Sequence, residues 1–134
     1  MKLITRDTDY AVRALTLIAR DKDKLATARA LAEKSKIPRP FLRKILQELN
    51  KKGLLKSHKG ISGGFFLAKP AEKISLVDLI KIFQGKFSIN ECFFKKLPCP
   101  SRGKCLLNRE IRAIEQYALS RLRKLSIAAL LKGR

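Results

Sequence analysis

Three cysteines, Cys92, Cys99 and Cys105, are the residues of this chain best suited to inorganic chemistry. They are separated by six and then five residues, in a stretch whose Pro98, Pro100 and Gly103 mark it as an irregular loop. An odd, clustered set of thiols argues against a disulfide framework and for metal or redox chemistry. Thiolates bind iron–sulfur clusters and zinc alike. Structural zinc sites commonly pair ligands about two to four residues apart, whereas these gaps spread the sulfurs around a larger object. On spacing alone a cluster, a zinc ion and three unligated thiols all stay open. Lys95, Lys96, Arg102 and Lys104 would partly offset the charge of an anionic cluster.

A second group is suited to reading a polyanion. Arg39, Arg43 and Gln47 recur every fourth residue and line one side of a helix. Arginine and glutamine make bidentate contacts with guanine and adenine edges in the major groove. Lys44 stands beside them, while Lys51 and Lys52, further along, suit phosphate contacts that position without specifying. Lys59 stands at a glycine-rich tip from which a basic side chain can enter a narrow minor groove. His58, the only histidine, reads as a surface residue of that hairpin. The bland alternative is a solvated basic helix face.

Composition favours the polyanion. The chain has 134 residues, 31 Lys+Arg against 11 Asp+Glu, and a formal net charge of +20. The excess is spread over both halves, but residues 34–59 hold nine Lys/Arg and a single acid, Glu48. Nucleic acid is the default partner for such a balance. The absence of tryptophan argues against a single-strand stacking platform. One histidine and few carboxylates leave no general acid–base constellation, so an enzyme is not expected. Without an apolar leader or a run of roughly 20 apolar residues, the expected location is cytoplasmic.

These residues need elements to position them. Ala11, Ala14, Leu15 and Ile18 follow the i, i+3, i+4, i+7 pattern and predict a helix over 8–20, capped by Thr8 or Thr5, with Asp7 and Asp9 suiting its positive end. Thr27 can cap a short helix, 28–34. Pro38-Arg39-Pro40 sets up the next, with Arg39 as cap and Pro40 as first helical residue. Phe41, Leu42, Ile45, Leu46 and Leu49 form its buried stripe, and Gly53 ends it. Leu54–His58 and Phe65–Ala68 read as strands around a glycine-rich tip. Ser75 and Asp78 resemble a capping box that opens a helix to about Gln84. From Arg109 to Leu131 the pattern reads as one unbroken helix with a stripe of Ile111, Ile114, Ala118, Leu122, Leu125 and Ala129. The fold expected is mainly α with a small β-hairpin wing: a winged helix-turn-helix over 1–84, a cysteine loop over 85–108 and a long C-terminal dimerisation helix over 109–134.

Thr8-Asp9-Tyr10-Ala11-Val12-Arg13-Ala14-Leu15, the Leu42–Gly53 stretch, Gly53-Leu54 followed by Lys59-Gly60 and Gly63-Gly64, and the three-cysteine loop together resemble the Rrf-two family of bacterial regulators, which includes IscR-, NsrR- and RirA-type iron–sulfur sensors. The resemblance implies a homodimer that pairs through its long C-terminal helix and binds palindromic promoter DNA as a sequence-specific regulator, here a repressor. It also implies that Cys92, Cys99 and Cys105 ligate a 2Fe–2S or 4Fe–4S cluster. IscR-type members place a histidine three residues after the last cysteine; this chain has Asn108 there, a poor iron ligand. NsrR-type members use an aspartate near the start of the first helix, supplied by the other subunit. Asp9 stands at that position, with Asp7 behind it, and can equally serve only its own helix N-terminus. Alternatives are a cluster-free or zinc-bearing regulator of the same fold, or a general basic nucleic-acid-binding protein.

Overall fold

A computed structural model describes residues 2–21, 25–60, 63–89 and 104–133. Its first helix, α1 (Arg6–Arg20), is capped by Thr5, whose hydroxyl accepts from the Thr8 backbone N–H at 3.5 Å. Of the two threonines, Thr5 is therefore the cap, and Thr8 is fully buried. The short α2 (Ala28–Ser35) is capped by Thr27. It ends on Lys36 in the left-handed region, φ 64°, which turns the chain sharply into α3 (Arg39–Lys51). Strands β1 (Leu55–His58) and β2 (Gly64–Leu67) pair antiparallel, Leu55 opposite Leu67. Ala26 adds a third edge through two backbone hydrogen bonds with Phe65, fixing the hairpin to the start of α2.

Alanines and leucines of α1, the inner stripe of α3, Leu31, Leu54, Leu55, Ile74 and Leu79 make the main core. The sheet carries little of it, so the packing of α1 on α3 sets the orientation of α3. After a single turn (Ala71–Lys73) the Ser75–Asp78 capping box is present with both of its hydrogen bonds. It opens α4 (Leu76–Phe83).

The C-terminal helix departs from expectation. In place of one helix over 109–131 there are two, α5 (Leu106–Arg123) and α6 (Ile127–Lys132). Ser126 leaves the helix, its hydroxyl accepting from Ala129 N–H at 3.0 Å. Leu76 N–H donates to Leu125 O, and Ile127 N–H to Ile74 O, each at 2.8 Å. This bridge folds α6 back onto α1 and places Ile127, fully buried, in the main core. The apolar stripe therefore divides. Ala118 and Leu122 pack within the chain against Leu76, Ile80 and Phe87, while Ile114 stays exposed.

Candidate nucleic-acid interface and cysteine loop

Local chemistry builds α3 from both ends. Its N-cap is Pro38, so Arg39 and Pro40 are its first two residues, one position earlier than expected. Proline is tolerated there because those N–H groups have no helical partner. At the other end Leu54 N–H reaches Leu49 O and Gly53 N–H reaches Asn50 O, at 3.0 and 3.1 Å. These are the two bonds of a Schellman cap, and Gly53 takes the positive φ it requires, 82°.

Between those ends Leu42, Ile45, Leu46 and Leu49 are buried, and Arg39, Arg43, Lys44, Gln47 and Lys51 are all exposed. Phe41 is not in the core, as its place in the stripe suggested; it is 38% exposed. It lies at the edge of the apolar arc, where one helical step turns the ring outward. Among the described residues the ion pairs are Arg6–Asp7, Arg13–Asp9, Arg29–Glu33 and Arg112–Glu115. None uses a cation of α3 or of the hairpin. The hairpin adds exposed Lys56, His58 and Lys59. At its tip Gly63 is irreplaceable, since a Cβ there would lie 2.2 Å from the His58 carbonyl oxygen.

Of the three cysteines Cys105 is described; Cys92 and Cys99 lie outside the described residues. Cys105 is the N-cap of α5, which begins at Leu106 and not at Arg109. Its Sγ accepts from Asn108 N–H at 3.4 Å. The Asn108 side chain accepts from Arg112 Nε, also at 3.4 Å. Asp9, half-exposed, pairs with Arg13 Nε at 2.9 Å, one helical turn on. Asp7 pairs more loosely with Arg6, at 3.6 Å. Among the described residues no three His, Cys, Asp or Glu side chains converge as a metal site.

Two residues missed in the sequence hold the approaches to these groups. Gln84 Oε1 accepts from Thr5 N–H at 3.0 Å and from the Thr8 hydroxyl at 2.7 Å, and its Nε2 donates to Leu3 O. It thereby ties the first turn of α1, where Asp9 stands, to the end of α4. Glu115 is 4% exposed. Its carboxylate accepts from Ile89 N–H at 2.8 Å, from the Ser88 hydroxyl at 3.3 Å and from Arg112. Burial pushes its pKa up, but the bonds from Ile89 and Arg112, the Arg112 charge and the Ser88 bond outweigh burial and hold it below the ordinary value. Glu115 thus pins Ser88 and Ile89, the last described residues before the cysteine stretch, to α5. The signal for it was an acid sharing a helix face with Ile111, Ala118 and Leu122, which demands a buried partner.

A basic helix held by a tight turn and followed by a β-hairpin defines a winged-helix DNA-binding protein. The family model for Rrf2, described as an iron-dependent transcriptional regulator, matches residues 4–133, and the chain belongs to that family. It is similar to protein aau3 of Rhizobium meliloti (strain 1021), with 34% identity over 132 residues that cover 98% of this chain and 86% of that protein. It is also similar to the HTH-type transcriptional regulator NsrR of Oceanobacillus iheyensis, 35% identical over 127 residues, 87% of this chain and 86% of that one. Among solved structures CymR, the global cysteine regulator of B. subtilis, shares the fold at a TM-score of 0.83 and 20% identity, covering 100% of this chain and 99% of that one. The family comprises transcriptional regulators and not enzymes. Among the described residues no helix is long and apolar enough to cross a membrane.

Proposed function

We propose that the chain is a homodimeric, sequence-specific repressor acting in the cytoplasm, which senses iron–sulfur status, redox state or nitric oxide through a cluster on Cys92, Cys99 and Cys105. Residues 1–84 bind palindromic promoter DNA, 85–108 hold the cluster and 109–134 carry the dimer contact. The observation that carries this reading is the exposed row Arg39, Arg43, Lys44, Gln47 and Lys51, which no described acid neutralises. Arg39, Arg43 and Gln47 face base edges, with Lys44, Lys51 and Lys59 on phosphates or the minor groove. For the dimer, Ile114 and Tyr117 share one side of α5 at 55% and 66% exposure, an apolar face that needs a partner surface and that Leu107, 71% exposed, continues into the end of the cysteine segment.

The donor chemistry fits a cluster. Cysteine sulfurs are its usual ligands, and Cys105 stands at a helix N-terminus whose backbone N–H and dipole favour negative charge. Asp9 of the partner subunit would be the fourth ligand, and would then give up its ion pair with Arg13. When bound, the group supplies an iron centre that nitric oxide, oxygen or iron shortage can damage. The chain's own residues do the rest: Glu115 fixes the loop's approach, and Gln84 fixes the turn that carries Asp9.

Iron and acid-labile sulfide analysis after anaerobic purification tests the sensing half. Iron with equimolar sulfide, lost when Cys92, Cys99 or Cys105 is changed to alanine, supports it. Zinc without sulfide overturns it in favour of a zinc-bearing regulator of the same fold.

A further inference from the structure

Phe41 is a large apolar side chain in the first turn of α3 that the core does not use. Its ring is covered from outside by Arg6, the first residue of α1, whose guanidinium carbon lies 4.5 Å from the ring centroid. The same guanidinium is 5.9 Å from the ring of Tyr10. Its pairing with Asp7 is a long 3.6 Å contact between two exposed side chains, 59% and 50%, and competes weakly for the charge. A guanidinium over a ring face is attracted through its charge, which leaves its forked N–H donors able to bind an anion.

We propose that Arg6, seated on Phe41, is a phosphate contact that extends the DNA interface from α3 onto the first turn of α1; this rests on the reading of α3 as the DNA-recognition helix. The buried stripe Leu42, Ile45, Leu46 and Leu49 defines the inner side of α3. Gln47 lies on the outer side, Phe41 on the flank between outer and inner sides, and Lys44 between Gln47 and Phe41. A helix seated in the major groove turns its outer side to base edges and its flanks to the phosphate walls. Arg6 lies on that flank, held against the Phe41 ring, and an arginine already placed there loses less side-chain order on contact than a free one. No side chain caps the start of α3, so the helix dipole presents positive charge at the end of α3 where Phe41 and Arg6 lie.

The test is a salt titration of binding to a mixed-sequence duplex and to a duplex selected from a random library, by fluorescence anisotropy. Each phosphate contact contributes about 0.9 to the slope of log affinity against log salt. Two Arg6 residues per dimer therefore contribute about 1.8. Between 50 and 200 mM salt the unmodified protein should lose about twelvefold more affinity than Arg6→Ala, equally on both duplexes. Arg6→Lys should restore the slope. Phe41→Leu should keep most of the slope while weakening every duplex about two- to fivefold. If Arg6→Ala melts below the assay temperature, Arg6→Gln carries the same test. An unchanged slope in the folded variant overturns the proposal, as does a change of base preference at one position with the slope intact. A parent protein that binds no duplex removes the recognition-helix reading and this one with it.

Discussion

Replacing Glu115 should loosen the cysteine stretch at its root while leaving the winged helix folded. Glu115→Ala takes from the Ile89 N–H its 2.8 Å acceptor, which costs about 1–3 kcal/mol. The Arg112 partner is 40% exposed and adds less than about 1 kcal/mol, since water takes over its solvation. A total near 2 kcal/mol lowers Tm by roughly 6–10 °C in a chain of this size. Glu115→Gln keeps an amide oxygen for Ile89 but no charge, and should cost about 1 kcal/mol. The sign with pH follows from the lowered pKa. The contribution of Glu115 is complete above its ordinary value, 4.5, and is lost as pH falls through the lower folded-state value. Urea midpoints from pH 7 downward, for the unmodified protein and Glu115→Gln, should therefore differ by a constant amount above that value and converge below it. A gap that stays constant into acid, or a Glu115→Ala cost below about 0.5 kcal/mol, would refute the argument. If the cluster is present, its visible absorbance should also decay faster in both variants.

Lys51→Ala should weaken binding to all sequences alike and flatten the salt slope by about 0.9 per subunit, as anisotropy titration would show. Ile127→Ala should cost about 2–5 kcal/mol in urea unfolding, because Ile127 is fully buried in the main core; a cost near zero would mean that α6 does not dock. Gly63→Ala should lower DNA affinity with helical circular dichroism unchanged, since the added Cβ would force the hairpin's backbone apart at His58 O.

What was legible in the sequence was local. Pro38 and Pro40 at one end of α3 and Gly53 at the other are signals carried by single residues, and they place the helix within one position of where it lies. The buried stripe follows from its period, except at its edge, where Phe41 turns outward to meet Arg6, a residue on another helix. The break between α5 and α6 left no mark on the apolar period, because its cause is the pairing of Ser126 with Ser75, far away in the chain. Ser126 itself, a good N-cap inside a helical pattern, was the one hint. Glu115 and Gln84 escaped for the same reason: each partners backbone groups contributed by distant segments. Cys105 was legible as a donor, but its role as the cap of α5 depends on where that helix begins.

If the exposed face of α3 reads base sequence, selection from a randomised duplex library will reveal it. The unmodified protein should enrich a palindrome with two half-sites about one helical turn, or a multiple of it, apart. Arg43→Ala should lose preference at one position of each half-site, by about 1–3 kcal/mol, and keep the rest. A library that emerges without sequence preference, or an Arg43→Ala profile identical to the parent's, would mean that this face of α3 does not read bases.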